Sequence, residues 1–192
     1  MDFDGDLAAL HAYLCGDGYV IKNAENIKNK SYKIGFRNTN IILLKDFQNR
    51  FKRYFYLEPH IYNNERCQIG SKEIYYRLTE NYSYYSYEWK MPKLNKNNLR
   101  FWLRAFFDCE SWVYNQKAKN RHIALECVNL YGLRQVKSAL SKFKIESSIK
   151  KRIRKYMIIY RLNIFSLDNL KRFRKDIGLL HPKKRKKLEE AI

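Results

Sequence analysis

The alternation of apolar and polar positions divides the chain into two similar runs. Residues 6–16 form an apolar segment at helical spacing, and residues 19–24 and 31–38 alternate in the manner of strands. Residues 41–56 return to a helical period, with Leu44, Phe47, Phe51 and Tyr54 on one face. Strands are expected at 59–62 and 73–79, and the segment from Asn81 to Asn98 joins the halves. The second half repeats the order: a helix at 97–109, a hairpin at 112–117 and 121–129, a helix at 130–142, and a hairpin at 145–152 and 156–163. Two helices close the chain, 167–177 stopped by Gly178 and 183–191 opened by Pro182.

Within the strands, side chains switch sides at every residue. Tyr32, Ile34 and Phe36 oppose Lys33, Gly35 and Arg37; Ile74, Tyr76 and Leu78 oppose Tyr75 and Arg77; Ile158, Tyr160 and Leu162 oppose Ile159 and Arg161. One sheet face therefore packs under helices, and the other is polar and basic, as an antiparallel sheet permits.

The repetition extends to particular residues. Leu10-His-Ala-Tyr-Leu-Cys-Gly-Asp-Gly18 precedes Tyr19-Val20, and Leu103-Arg-Ala-Phe-Phe-Asp-Cys-Glu-Ser111 precedes Trp112-Val113. In the same order, Ile34-Gly-Phe36 matches Ile123-Ala-Leu125, Asn40 matches Asn129, Ile74–Leu78 matches Ile158–Leu162, and Met91-Pro92-Lys93 matches His181-Pro182-Lys183. The reading is α+β: two αββαββα repeats, 1–94 and 95–192, each with a four-stranded antiparallel sheet.

Composition adds the partner. Of 192 residues, 39 are Lys or Arg and 19 Asp or Glu, a formal net charge of +20, while 45% are hydrophobic and 16% aromatic. So much apolar surface excludes a disordered basic tail, and the absence of a long apolar run excludes a bilayer span. The acidic start Met1-Asp2-Phe3-Asp4 is unlike a targeting peptide, which leads to the expectation of an intracellular protein. Basic residues threaded through aromatic and β-branched stretches favour a polyanion gripped by a sheet. Cys15, Cys67, Cys109 and Cys127 lack the spacing of a zinc site and are read as free thiols.

The two helical motifs, Leu10–Gly18 and Leu103–Ser111, each followed by an aromatic residue and Val, resemble those of the LAGLIDADG homing endonucleases, specifically single-chain members carrying the motif twice. Met91-Pro92 is similar to the family's lead-in to its second motif. The resemblance implies a pseudo-symmetric monomer whose two sheets form a DNA-binding saddle. It implies metal-assisted hydrolysis of both strands of a long asymmetric target, leaving 3′ overhangs, by an enzyme of the intron-homing type. It also leaves open an RNA-binding maturase acting on its own intron RNA, or a catalytically silent DNA-binding protein on the same scaffold.

The residues themselves support the site. Ala12 with Gly16, and Ala105 with Cys109, set small side chains four apart on one helical face, a spacing that lets two helices approach closely. Their C-termini carry partial negative charge, and each adds a carboxylate, Asp17 and Glu110. With the backbone carbonyls of Gly16 and Cys109, these make an all-oxygen site for a hard divalent cation, Mg2+ with Mn2+ able to substitute. Asp108 is read as a helix-end or packing carboxylate. Lys90 and His181, with Lys183 as an alternative to His181, are candidates for the basic residue that the resemblance implies near each scissile phosphate. Candidates for DNA contact are Lys22, Lys33, Arg37, Arg66, Gln68, Arg77, Arg121, Lys151, Arg152, Arg154 and Arg161.

Overall fold

The computed structural model describes residues 2–23, 28, 31–116 and 120–192. The first half runs α1 (Gly5–Cys15), β1 (Gly18–Lys22), β2 (Tyr32–Arg37), α2 (Ile41–Phe55), β3 (His60–Tyr62), β4 (Arg66–Gly70) and α3 (Lys72–Thr79). The second runs α4 (Lys96–Glu110), β5 (Ser111–Gln116), β6 (Asn120–Cys127), α5 (Leu130–Ser141), β7 (Ser148–Arg154), β8 (Met157–Ile164), α6 (Leu167–Asp176) and α7 (Pro182–Glu190). Each half contributes one four-stranded antiparallel sheet, ordered β1-β2-β4-β3 and β5-β6-β8-β7. The expected strand ends at Ala24 and Lys117 lie outside the described residues.

Helix α1 starts where Asp4 accepts a bond from the Leu7 N–H at 2.8 Å. Every residue from Leu7 to Cys15 is buried, so this helix has no solvent face. It lies against α4, and two glycines permit the approach: a Cβ at Gly5 would fall 2.7 Å from Phe101 Cδ2, and one at Gly16 would fall 2.7 Å from Cys109 Cβ. Midway, the Trp102 indole N–H donates to His11 Nδ1 at 3.1 Å. That bond fixes the neutral tautomer of His11, whose pKa burial lowers to about 3. Core residues of both halves, from Leu7 and Phe36 to Leu125 and Phe173, form one continuous cluster.

The two halves share capping chemistry. Asn40 opens α2 by accepting from the Ile42 N–H, and Asn129 opens α5 by accepting from the Gly132 N–H. Phe36 pairs with Gly18, and Leu125 pairs with Ser111, so the two central hairpins have matching register.

The structure corrects the reading of 73–79, which is helix α3 and not a strand. Ile74 and Leu78 are buried and fit either period, but Ser71 Oγ accepts from the Ile74 N–H at 3.3 Å and Glu73 sits in the first turn, which favours the helix. The last strand of the first sheet is instead β4, whose Cys67 and Ile69 make too short an apolar alternation to stand out. It pairs with β2 and β3 as β8 pairs with β6 and β7. Ile74–Leu78 and Ile158–Leu162 are therefore a helix and a strand, and not structural equivalents.

Candidate functional site

The helix pair delivers two carboxylates to one place. Helix α1 ends at Gly16, whose N–H donates to Ala12 O at 3.0 Å, and Asp17 follows. Helix α4 ends at Glu110; Ser111 Oγ donates to Phe107 O at 2.6 Å and turns the chain into β5. A Cβ at Gly16 would stand 3.4 Å from Glu110 Oε1, so the end of one helix abuts the acid of the other. Asp17 Oδ2 accepts from the Asn38 amide at 3.0 Å, and its side chain is also bonded to Cys109.

Burial raises the Asp17 pKa against the opposing pull of Asn38 and Lys184. Burial first, and then the negative charge of Asp17, push Glu110 up to about 7. Two like charges held together out of water call for a cation. Two carboxylates beside backbone carbonyls have the donor chemistry of a hard divalent ion site, which the Asp17 and Glu110 side chains could hold. Among the described residues, no group of three or more His, Cys, Asp or Glu is arranged to hold a metal ion.

The cation that the structure does bring is Lys184. Its Nζ donates to Asp108 O at 2.6 Å, Cys109 O at 3.2 Å and Phe107 O at 3.4 Å, capping the carbonyl end of α4. Sequence reasoning passed over it within the run Lys183-Lys-Arg-Lys-Lys187. The available signal was helical spacing: Lys184 shares a face of α7 with the buried Leu188 and Ala191. Asp108, itself buried, accepts from the Leu180 and His181 N–H groups and so anchors the start of α7. Burial lifts the Asp108 pKa to about 6.

Lys90 and His181 make their described contacts with other groups. The Lys90 ammonium sits 5.9 Å from the centre of the Tyr131 ring. The His181 N–H donates to Asp108, its ring feels the Lys184 charge, and its Nδ1 is buried with no hydrogen-bond partner among the described residues. Neither has a described contact with Asp17 or Glu110.

Strand register sorts the basic residues. Paired residues share a sheet face, so Lys33, Arg37, Arg66 and Gln68 lie on the face of the first sheet away from its core. Arg152, Arg154 and Arg161 occupy the same face of the second sheet, with Lys150, which sequence reasoning missed. Lys151 pairs with Tyr160 on the opposite face, because adjacent strand residues alternate sides and Lys151 lies between the outward Lys150 and Arg152. Lys22 pairs with Tyr32, and Arg121 pairs with Asn115, also on the core side, where Arg121 donates to Ala191 O. Arg77 is on α3 beside the Phe55 ring. The outer faces are not uniformly basic: Ile159 is buried there, and exposed Ile158 is on the core side. Tyr19 donates to Gln68 Oε1 at 2.6 Å beneath the Arg37 guanidinium, and Arg161 lies over Trp112 while bonded to Glu126. Beside Glu110, a cavity of about 840 Å3 opens between Trp89, Cys127 and the β7–β8 hairpin.

Residues 97–178 match the LAGLIDADG-like domain family. The structure of mesophilic variants of the homing endonuclease I-DmoI superimposes with a TM-score of 0.70 over 97% of each chain, at 18% sequence identity. The chain has the LAGLIDADG fold. I-DmoI in complex with DNA and Mn is similar over 92% of this chain and 98% of that one, at 16% identity and a TM-score of 0.68. The LAGLIDADG fold also accounts for the doubled helix–sheet order. Among curated proteins, the ATP-dependent DNA helicase Hel308 of Methanocaldococcus jannaschii is 25% identical over 98% of the chain. The chain spans 10–21% of the length of the curated relatives it matches. No described helix is long and apolar enough to cross a membrane.

Proposed function

We propose that this protein is a site-specific DNA endonuclease that breaks both strands of a long asymmetric duplex with the help of a divalent cation. The observation that carries this is the meeting of Asp17 and Glu110 at the paired helix ends, flanked by sheets whose outer faces bear Lys33, Arg37, Arg66, Lys150, Arg152, Arg154 and Arg161. I-DmoI, of the same fold, has been crystallised with DNA and Mn and with DNA and Ca. Magnesium is the proposed ion here, with manganese substituting, and the protein acts as a monomer whose halves are 1–94 and 95–192.

The chain's own groups supply position and charge. Asp17 and Glu110 hold the ion, and Asn38 fixes the rotation of the Asp17 carboxylate. The bound ion supplies a Lewis acid for the phosphoryl oxygens and an acidified water. The two ribbons enter the major groove on either side, leaving the acids opposite the minor groove. Phosphates facing one another across that groove are offset in the 3′ direction, so the cuts leave 3′ overhangs. The target is asymmetric because matched positions differ: Arg37 corresponds to Glu126, and Lys33 to His122.

Phosphate neutralisation makes binding depend on salt. With six to eight basic contacts, affinity for the selected duplex is expected to fall roughly 10^3–10^5-fold between 50 and 200 mM salt. Selecting duplexes from a randomised library in chelator, titrating salt, and then adding magnesium tests both properties. Salt-insensitive binding, or retained duplexes that magnesium leaves intact, would refute the endonuclease reading.

A further inference from the structure

We propose that Lys184 is a built-in counter-cation of the acid pair: its ammonium supports the site when no metal is bound and, by occupying the Cys109 carbonyl, weakens divalent-cation binding on the Glu110 side. This rests on the reading of Asp17 and Glu110 as a cation site. Three carbonyls of the last turn of α4 converge on Nζ at 2.6–3.4 Å, where the helix carries its partial negative charge. The side chain is held there by the docking of α7, through Asp108 at its start and the buried Leu188 and Ala191 along its inner face. The other half differs. At the end of α1, Asp17 is hydrogen-bonded by the neutral groups Asn38 and Cys109 and feels the Lys184 charge, while the described Lys184 hydrogen bonds all fall on carbonyls of α4.

A fixed ammonium beside a cation site has two opposed effects. It relieves the mutual repulsion of the carboxylates in the metal-free protein, and it repels the incoming ion. Its removal therefore costs stability without metal and raises affinity for metal. A lysine serving only as a helix cap produces the first effect alone, at every metal concentration.

Calorimetric titration of manganese chloride into the full chain, paired with thermal unfolding with and without manganese, separates these roles. Lys184→Gln keeps a hydrogen-bond donor but loses the charge, Lys184→Met loses both, and Lys184→Arg keeps both. Lys184→Gln and Lys184→Met are expected to melt lower than wild type without metal, to bind manganese about tenfold more tightly, and to gain more in Tm from saturating manganese. Lys184→Arg is expected to resemble wild type. Unchanged manganese affinity in Lys184→Gln, with an equal Tm deficit in the presence and absence of manganese, overturns the proposal. Wild-type protein that binds no manganese overturns it together with the cation-site reading on which it rests.

Discussion

The double variant Asp17→Asn, Glu110→Gln is expected to bind its duplex as wild type does and to nick neither strand. The changes are isosteric, and the sheets that carry the basic faces are untouched. The Asn38 amide then meets either the oxygen or the nitrogen of the carboxamide that replaces the Asp17 carboxylate, a local cost that leaves the fold intact. What is lost is charge at the proposed cation site. A metal supplies several kcal/mol of charge stabilisation, so cleavage is expected to fall on the order of 10^3-fold or more. Gel separation of both strands, with retention of labelled duplex measured alongside, reads the two properties independently. Cleavage that survives both substitutions would show that the acids have been wrongly assigned.

Glu110→Gln alone is expected to stabilise the metal-free protein, increasingly so as pH rises. In the folded protein the Glu110 pKa is pushed from its ordinary 4.5 to about 7, so the folded state binds more protons than the unfolded state between these values. Stability contributed by this group is complete below about pH 4.5 and declines as pH rises through 7. The full decline is about 3 kcal/mol, at about 1.36 kcal/mol per pKa unit. His11 acts in the opposite sense, because its neutral form is the buried one and its pKa is lowered to about 3. The difference between variant and wild type isolates Glu110: near zero at about pH 4.5, growing to about 3 kcal/mol in favour of the variant above about pH 7, and shrinking when manganese is added. Denaturant unfolding at a series of pH values measures it. A difference independent of pH would mean that Glu110 is not held as a buried acid beside Asp17.

Most elements were legible because periodicity and caps agreed, as at Asn40 with α2 and Asn129 with α5. The segment from Arg66 to Thr79 was misread where the two signals diverged. Ile74, Tyr76 and Leu78 suit a strand, while the cap at Ser71 marks a helix, and in β4 the apolar alternation is limited to Cys67 and Ile69. The meeting of Asp17 and Glu110 could be anticipated from sequence because each lies at the C-terminal end of one of the two repeated helices. Lys184 was hidden within five successive basic residues, and its helical spacing to Leu188 and Ala191 is the one feature that sets it apart from them. Within Lys150-Lys151-Arg152, the outward side depends on a one-residue register that composition does not encode.

Mapping of cut ends at nucleotide resolution, on duplexes recovered from a randomised library, bears most directly on the claim that two acids at one axis sever DNA. The account predicts one cut per strand, a few base pairs apart across the minor groove, at a single asymmetric sequence, requiring magnesium and absent with Asp17→Asn, Glu110→Gln. Breaks confined to single strands at unrelated sequences, or ends that persist in chelator, would contradict it.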